Sequence, residues 1–179
     1  LGEQAMQNGV RLGVSSITRH HPNATMTKAK ITGNYANSVI AKTLAKRSGF
    51  DDCVLLDPQG FVSEGSGENI FIVRKGMIIT PPVTTALEGI TRDSLITLAT
   101  DSGLKVKEEM ISRDQLYIAD EVFVVGTAAE CVPVREIDFR QIGTGKPGPI
   151  TRQVQNLYQS AIHGNHPRSE EWLDYVNPS

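Results

Sequence analysis

Cysteine is scarce in this sequence, with two in 179 residues, Cys53 and Cys131, far apart and each inside an apolar run. Such a pair makes no disulfide framework, and a small hydrophobe would serve at either place, so a reducing cytoplasm is the expected compartment. There is no excess of charge of one sign. Eighteen basic against 20 acidic side chains give a formal net charge of −2, which excludes a basic nucleic-acid binder. No long apolar run occurs, so no membrane span or membrane partner is expected. A Gly-x-x-x-x-Gly-Lys-Ser/Thr loop and a Cys-x-x-Cys pair are both missing, which removes two common routes to nucleotide and metal binding.

What is present reads as an ordinary globular chain, 39% hydrophobic and 21% charged. A chain of this length makes one domain that buries about 70% of its unfolded surface. It opens on Leu1 rather than methionine, and Gly2 to Asn8 reads as the tail of a helix already under way, capped by Asn8-Gly9. Asn23-Ala-Thr25 fits a glycosylation sequon, discounted because no leader is apparent.

Val10 to Thr18 is β-branched and reads as a strand. From Tyr35 to Ser48, Val39, Ile40, Leu44 and Ala45 recur at helical spacing and Gly49 stands where the helix would stop. Cys53 to Leu56 is a short buried strand, Asp57-Pro-Gln-Gly60 a turn, and Phe61 to Val73 two strand segments flanking Glu-Gly-Ser-Gly. Met77 to Thr80 is a strand ended by Pro81-Pro82. Thr91 is expected to cap a helix that closes at Ser102-Gly103. Strands follow at Leu104 to Glu109, Glu121 to Val125 and Val132 to Phe139, with a helical turn at Ser112 to Tyr117. After the glycine-rich Gly143 to Gly148, Ile150, Val154, Leu157 and Tyr158 mark a last amphipathic helix. Alternating strands and helices without repeat or linker place the chain in the α/β (α+β) class.

Metal sites fail on context. His163 and His166 have ligand-compatible spacing but sit in a polar tail with prolines, and His20-His21 reads as surface. The remaining candidates are polar residues at the ends of apolar strands. Lys30, in Lys-Ile-Thr-Gly-Asn-Tyr35, precedes the first amphipathic helix; alone, a lysine is nearly always a solvated charge. Glu64, Glu68 and Asn69 serve equally well as turn residues among glycines. Gly89-Ile-Thr-Arg-Asp93 opens a helix whose free N–H groups suit an anion, and Gly126-Thr-Ala-Ala129 is a second loop of small residues. Each is weak alone. Together, two backbone nests, an amine, a phenol and an acid are what a pyridoxal phosphate enzyme needs.

At these residues the sequence resembles the large, C-terminal domain of the branched-chain amino acid aminotransferases, class IV aminotransferases of the fold-type IV pyridoxal phosphate enzymes. The resemblance runs from Gly2 to Asn177. It rests on Lys30-Ile-Thr-Gly-Asn-Tyr35, Ser63-Glu-Gly-Ser-Gly-Glu-Asn-Ile-Phe71, Gly89-Ile-Thr-Arg-Asp93, Asp120-Glu-Val-Phe-Val-Val-Gly-Thr-Ala-Ala-Glu130 and Pro133-Val-Arg135, in that order. It implies the D-amino acid aminotransferase-like fold, a mixed sheet or pseudo-barrel flanked by helices, with residues 1–179 as a single cofactor-binding large domain.

The resemblance also implies roles. Lys30 would carry pyridoxal 5'-phosphate and shuttle a proton between the substrate α-carbon and the cofactor C4′, which needs a neutral amine favoured by burial. Glu64 would hold the proton of the ring nitrogen, and Tyr35 would bond the phenolate oxygen. Gly89, Ile90 and Thr91 at the helix start, with Thr127, would bind the phosphate; Thr127 and Ala128 amides would take the substrate carboxylate. Lys28 is the rival amine. Gly148-Pro-Ile-Thr-Arg-Gln and Trp172-Leu-Asp-Tyr-Val-Asn177 favour L-leucine, L-isoleucine and L-valine with 2-oxoglutarate over the D-amino acid aminotransferases and aminodeoxychorismate lyases of the same fold. Members carry a smaller N-terminal domain with a phosphate-binding arginine that this sequence lacks; Arg11 is the nearest basic candidate and matches no such motif. A homo-oligomer is expected, and a fragment that keeps the fold without turnover is the alternative.

Overall fold

The computed structural model describes residues 2–176; Leu1 and residues 177–179, among them Asn177 of the expected C-terminal block, lie outside the described residues. Helix α1 (Glu3–Asn8) ends at Gly9, whose φ of 77° is a left-handed position that glycine adopts without strain. Strand β1 (Val10–Val14) stops short of the expected Thr18. The Ser15 hydroxyl accepts the Ile17 amide, and that local turn ends the ladder.

Helix α2 (Tyr35–Arg47) forms where the periodicity placed it, but on a different face. Its buried residues are Ser38, Ala41 and Ala45, whereas Val39, Ile40 and Leu44 are exposed. The reason is space: Ala41 and Ala45 pack with Phe50, Cys53 and Leu55, so small side chains let the helix lie close to the sheet.

Strands β2 (Asp52–Leu56), β3 (Val62–Gly65), β4 (Asn69–Arg74) and β5 (Met77–Thr80) precede helix α3 (Ile90–Asp101). Thr91 does not cap α3. The cap residue is Gly89, without a side-chain bond, and Thr91 lies buried inside the first turn. After β6 (Lys105–Glu108), the short α4 (Arg113–Tyr117) is capped by Ser112 and Gln115 reciprocally. Strands β7 (Glu121–Gly126) and β8 (Glu130–Ile137) follow; β8 ends before Phe139 because Asp138 and Phe139 take positive φ to turn into β9 (Arg140–Gln141). Helix α5 (Pro149–Ile162) and the short α6 (Ser169–Trp172) complete the described chain.

The strands form one mixed sheet in the order β3-β2-β1-β8-β7-β4-β5-β6, with β9 beside β8. β1 runs parallel to both β2 and β8, while β7 is antiparallel to β4 and β8. β3 and β4 are separated in this order by β2, β1, β8 and β7, yet only residues 66–68 connect them. So short a link forces the sheet to curl until its β3 edge approaches β4, which makes a half-barrel. Both faces of the central strands are buried. On β4 and β7, Ile70, Ile72, Val122 and Val124 join one core cluster, and Phe71, Val73, Phe123 and Val125 join the other with Leu95 and Leu98 of α3 and Val154 of α5. This alternation explains why those strands read as unbroken apolar runs. No helix among the described residues is long and apolar enough to cross a membrane.

Helix α5 starts on a buried acid. Glu121 accepts the amides of Ile150 (3.1 Å) and Thr151 (2.7 Å) and the Thr151 hydroxyl (2.6 Å), satisfying open donors at the helix start. A Cβ at Gly148 would stand 2.1 Å from Glu121 Cδ. Gly148→Ala is therefore expected to displace the acid and destabilise the fold by about 1–3 kcal/mol, a fall of roughly 2–12 °C in Tm measurable by thermal denaturation.

Candidate active site

A cavity of about 370 Å³ opens where the ends of β3, β7, α2 and α3 meet, and it gathers most of the residues singled out above. Lys30, Tyr35, Glu64, Gly89, Ile90, Thr91 and Thr127 all line it, together with Arg19, Lys28, Glu68 and Asn69. Ala128 does not; it is exposed beside Thr127, carried past the rim by the β7–β8 turn.

Lys30 leaves the loop that enters α2, and one buried residue holds that loop. The Asn34 amide donates to the carbonyls of Met26 (2.8 Å) and Ala29 (2.9 Å), while its carbonyl accepts the Thr25 hydroxyl. Lys30 has no hydrogen-bond or ion-pair partner among the described residues and is exposed, so the burial expected for its amine is not supplied by them. Lys28 is committed elsewhere, donating to Ala86 O at 3.1 Å and pairing with Glu88 at 3.4 Å. Tyr35 is half-buried at the first residue of α2.

Glu64 projects from β3, whose register sets it opposite Leu55 of β2. Its Oε1 lies 2.6 Å from Arg19 Nε, and its Oε2 accepts the Leu87 amide at 3.0 Å. Burial pushes this carboxyl above the ordinary carboxylate range, against the pull of the Arg19 guanidinium, the Leu87 amide and Lys28. Glu68 folds back so that its Oε2 accepts the Gly67 amide at 3.0 Å, and burial beside Asp52 raises its carboxyl too.

At the start of α3 no side chain serves as cap, so the leading N–H groups remain for an external acceptor. Gly89 has φ −72° and is needed for closeness rather than for conformation: a Cβ there would lie 2.1 Å from Asn69 Oδ1, and Asn69 Nδ2 donates to Leu87 O at 3.0 Å. Gly89→Ala should drive these groups apart and weaken anion binding at the helix start about 10-fold or more, since misplacing one or two donors costs on the order of 1–3 kcal/mol. Phosphate-ester competition measured by equilibrium dialysis checks this.

Arg19 is the residue that sequence reasoning missed. It lies in the polar run Thr18-Arg-His-His, where no periodicity or motif marks it, and its partner is distant in sequence. His20, expected at the surface, is half-buried against it, with Nε2 enclosed and without a partner among the described residues. Among the described residues no cluster of three His, Cys, Asp or Glu could hold a metal.

Comparison with known proteins shows the family and the fold. Residues 2–137 match the family described as amino-transferase class IV. The chain is 49% identical over 176 residues to the branched-chain-amino-acid aminotransferase of Pseudomonas aeruginosa, covering 98% of this chain and 57% of that protein. It is 45% identical over 178 residues to the enzyme of the same name from Escherichia coli K12, covering 99% and 58%. Among solved structures, the T.th. branched-chain amino acid aminotransferase with pyridoxamine 5'-phosphate superposes with a TM-score of 0.95 at 50% identity, covering 99% of this chain and 58% of that one. The Escherichia coli enzyme gives 0.92 at 44% identity, covering 99% and 59%. The chain thus spans rather more than half the length of these relatives.

Proposed function

Because the chain belongs to the class IV aminotransferase family, we propose that it is the cofactor-binding domain of a branched-chain amino acid transaminase. The reaction moves the amino group of L-leucine, L-isoleucine or L-valine to 2-oxoglutarate with pyridoxal 5'-phosphate as cofactor. The observation that carries this reading is the convergence on one cavity of an amine without a partner among the described residues, a buried acid and an open helix start.

The donor set fits the cofactor. An anionic ester suits the amides of Ile90 and Thr91, with Gly89 allowing close approach and Thr127 on the facing rim. Bound there, pyridoxal phosphate supplies an electron-accepting ring for the bonds at the substrate α-carbon. Glu64 holds a proton at the ring nitrogen, Tyr35 donates to the ring oxygen, and the Lys30 amine binds the cofactor and then moves the proton at the α-carbon. The substrate carboxylate is assigned to the Thr127 and Ala128 amides, on the exposed lip of the β7–β8 turn.

Residues 1–179 are assigned to a single large domain. The exposed Val39, Ile40 and Leu44 of α2 and the open side of the cavity beside Lys30 are assigned to contacts with the family's small N-terminal domain and with a second copy, which would bury the amine and exclude water. Two buried free thiols support a cytoplasmic setting.

The test is chemical. Borohydride reduction of the protein with pyridoxal phosphate, followed by peptide mapping, should place the label on Lys30, and the visible absorption should shift on adding L-leucine. A label on Lys28, or none, overturns the assignment.

A further inference from the structure

Arg19 is close to fully buried and forms part of the cavity wall, and among the described residues its side chain bonds Glu64, Thr85 and His20 rather than the residues assigned to phosphate or substrate. Its Nε stands 2.6 Å from Glu64 Oε1, the two side chains being 7% and 8% exposed. The same Nε faces Thr85 O at 3.3 Å, and Nη1 lies 3.4 Å from His20 Nδ1. The Thr85 hydroxyl bonds the Ser63 hydroxyl at 2.8 Å, and the Leu87 amide takes the other oxygen of Glu64. Adjacent residues of β3 are thereby fastened to the loop between β5 and α3, and the guanidinium is the cation at the centre of that fastening.

A carboxylate in such a place has two defects when alone. Burial favours its neutral form, and an unfastened side chain has several rotamers. A guanidinium corrects both, because it stays charged at any working pH and its planar donors fix the acceptor. Lys28 and Glu68 are the other charged groups facing Glu64, one favouring its ionised form and one opposing it, and Lys28 is already paired with Glu88.

We infer that Arg19 is a positioning residue which, acting only through Glu64, keeps that acid ionised and aimed so that it can hold a protonated aromatic nitrogen in the cavity. This rests on the cofactor reading above.

The test measures the dissociation constant of pyridoxal phosphate by absorbance and fluorescence between about pH 6 and 9. It uses the intact protein and its Arg19→Met, Arg19→Lys, Glu64→Gln and Arg19→Met/Glu64→Gln variants. Arg19→Met should weaken binding about 10-fold, the loss of one charge-assisted contact, and relative to the parent the loss should grow toward low pH, where Glu64 without its cation takes up a proton. Arg19→Lys should restore most of the affinity and the parent's pH profile. In the Glu64→Gln background, Arg19→Met should change nothing further. Binding by Arg19→Met equal to the parent at every pH, or an equal further loss in the Glu64→Gln background, overturns the inference. If Arg19→Met does not fold, the double variant, which leaves no unpaired buried charge, decides by comparison with Glu64→Gln. A parent that carries no reducible cofactor on Lys30 removes both readings, whereas a labelled parent with an unchanged Arg19→Met removes this one alone.

Discussion

Lys30→Ala should lower transamination by about 10²–10⁴-fold, the range that a positioned proton-transfer group contributes, and should abolish borohydride-stable incorporation of the cofactor. Lys28→Ala should keep the label. The contrast follows from their surroundings: Lys28 is held by Ala86 O and Glu88, while Lys30 faces the cavity without a partner among the described residues. The fold should survive the change, because an exposed side chain without a bonded partner contributes within about 0.5 kcal/mol. Equal thermal melts beside a collapsed rate would separate chemistry from stability; a variant that keeps a tenth of the parent rate would refute the assignment.

Glu64→Ala should be costly in both respects. It leaves the Arg19 guanidinium buried opposite no anion, and breaking a buried pair from one side costs about 3–5 kcal/mol, a Tm fall of roughly 6–20 °C. The pair is almost fully enclosed, so solvent does little to screen it. Glu64→Gln preserves shape and an acceptor for the Leu87 amide and should melt nearer the parent, while still losing turnover. Differential scanning calorimetry beside initial rates would show this split. Melting of both variants at the parent temperature would mean that the ion pair contributes little.

Much of this was legible in the residues themselves. Strands buried on both faces, such as those holding Ile70–Val73 and Val122–Val125, betray themselves as apolar runs, and glycines mark the helix ends at Gly49 and Gly103. The cavity residues Lys30, Tyr35 and Glu64 were found by resemblance, since each alone is indistinguishable from a surface or turn residue. Three things were hidden for physical reasons. The packed face of α2 depends on how closely the sheet approaches, and periodicity cannot see that Ala41 and Ala45 fit where Val39 and Ile40 do not. The cap of α3 is Gly89 because Asn69 occupies the space a side chain would need. Arg19 acquires meaning only when β3 is brought beside its loop.

The parallel pairing of β1 with β8, Val10 against Val134, governs when the protein comes into being. A nascent chain leaving the ribosome carries β1 long before the neighbour that will hold it exists, and such distant pairings fold slowly. Until synthesis has passed Ile137, the interior edge of β1 is bare backbone, open to unwanted strands from other molecules. Early termination before that residue would therefore give aggregation-prone polypeptide instead of a smaller working unit.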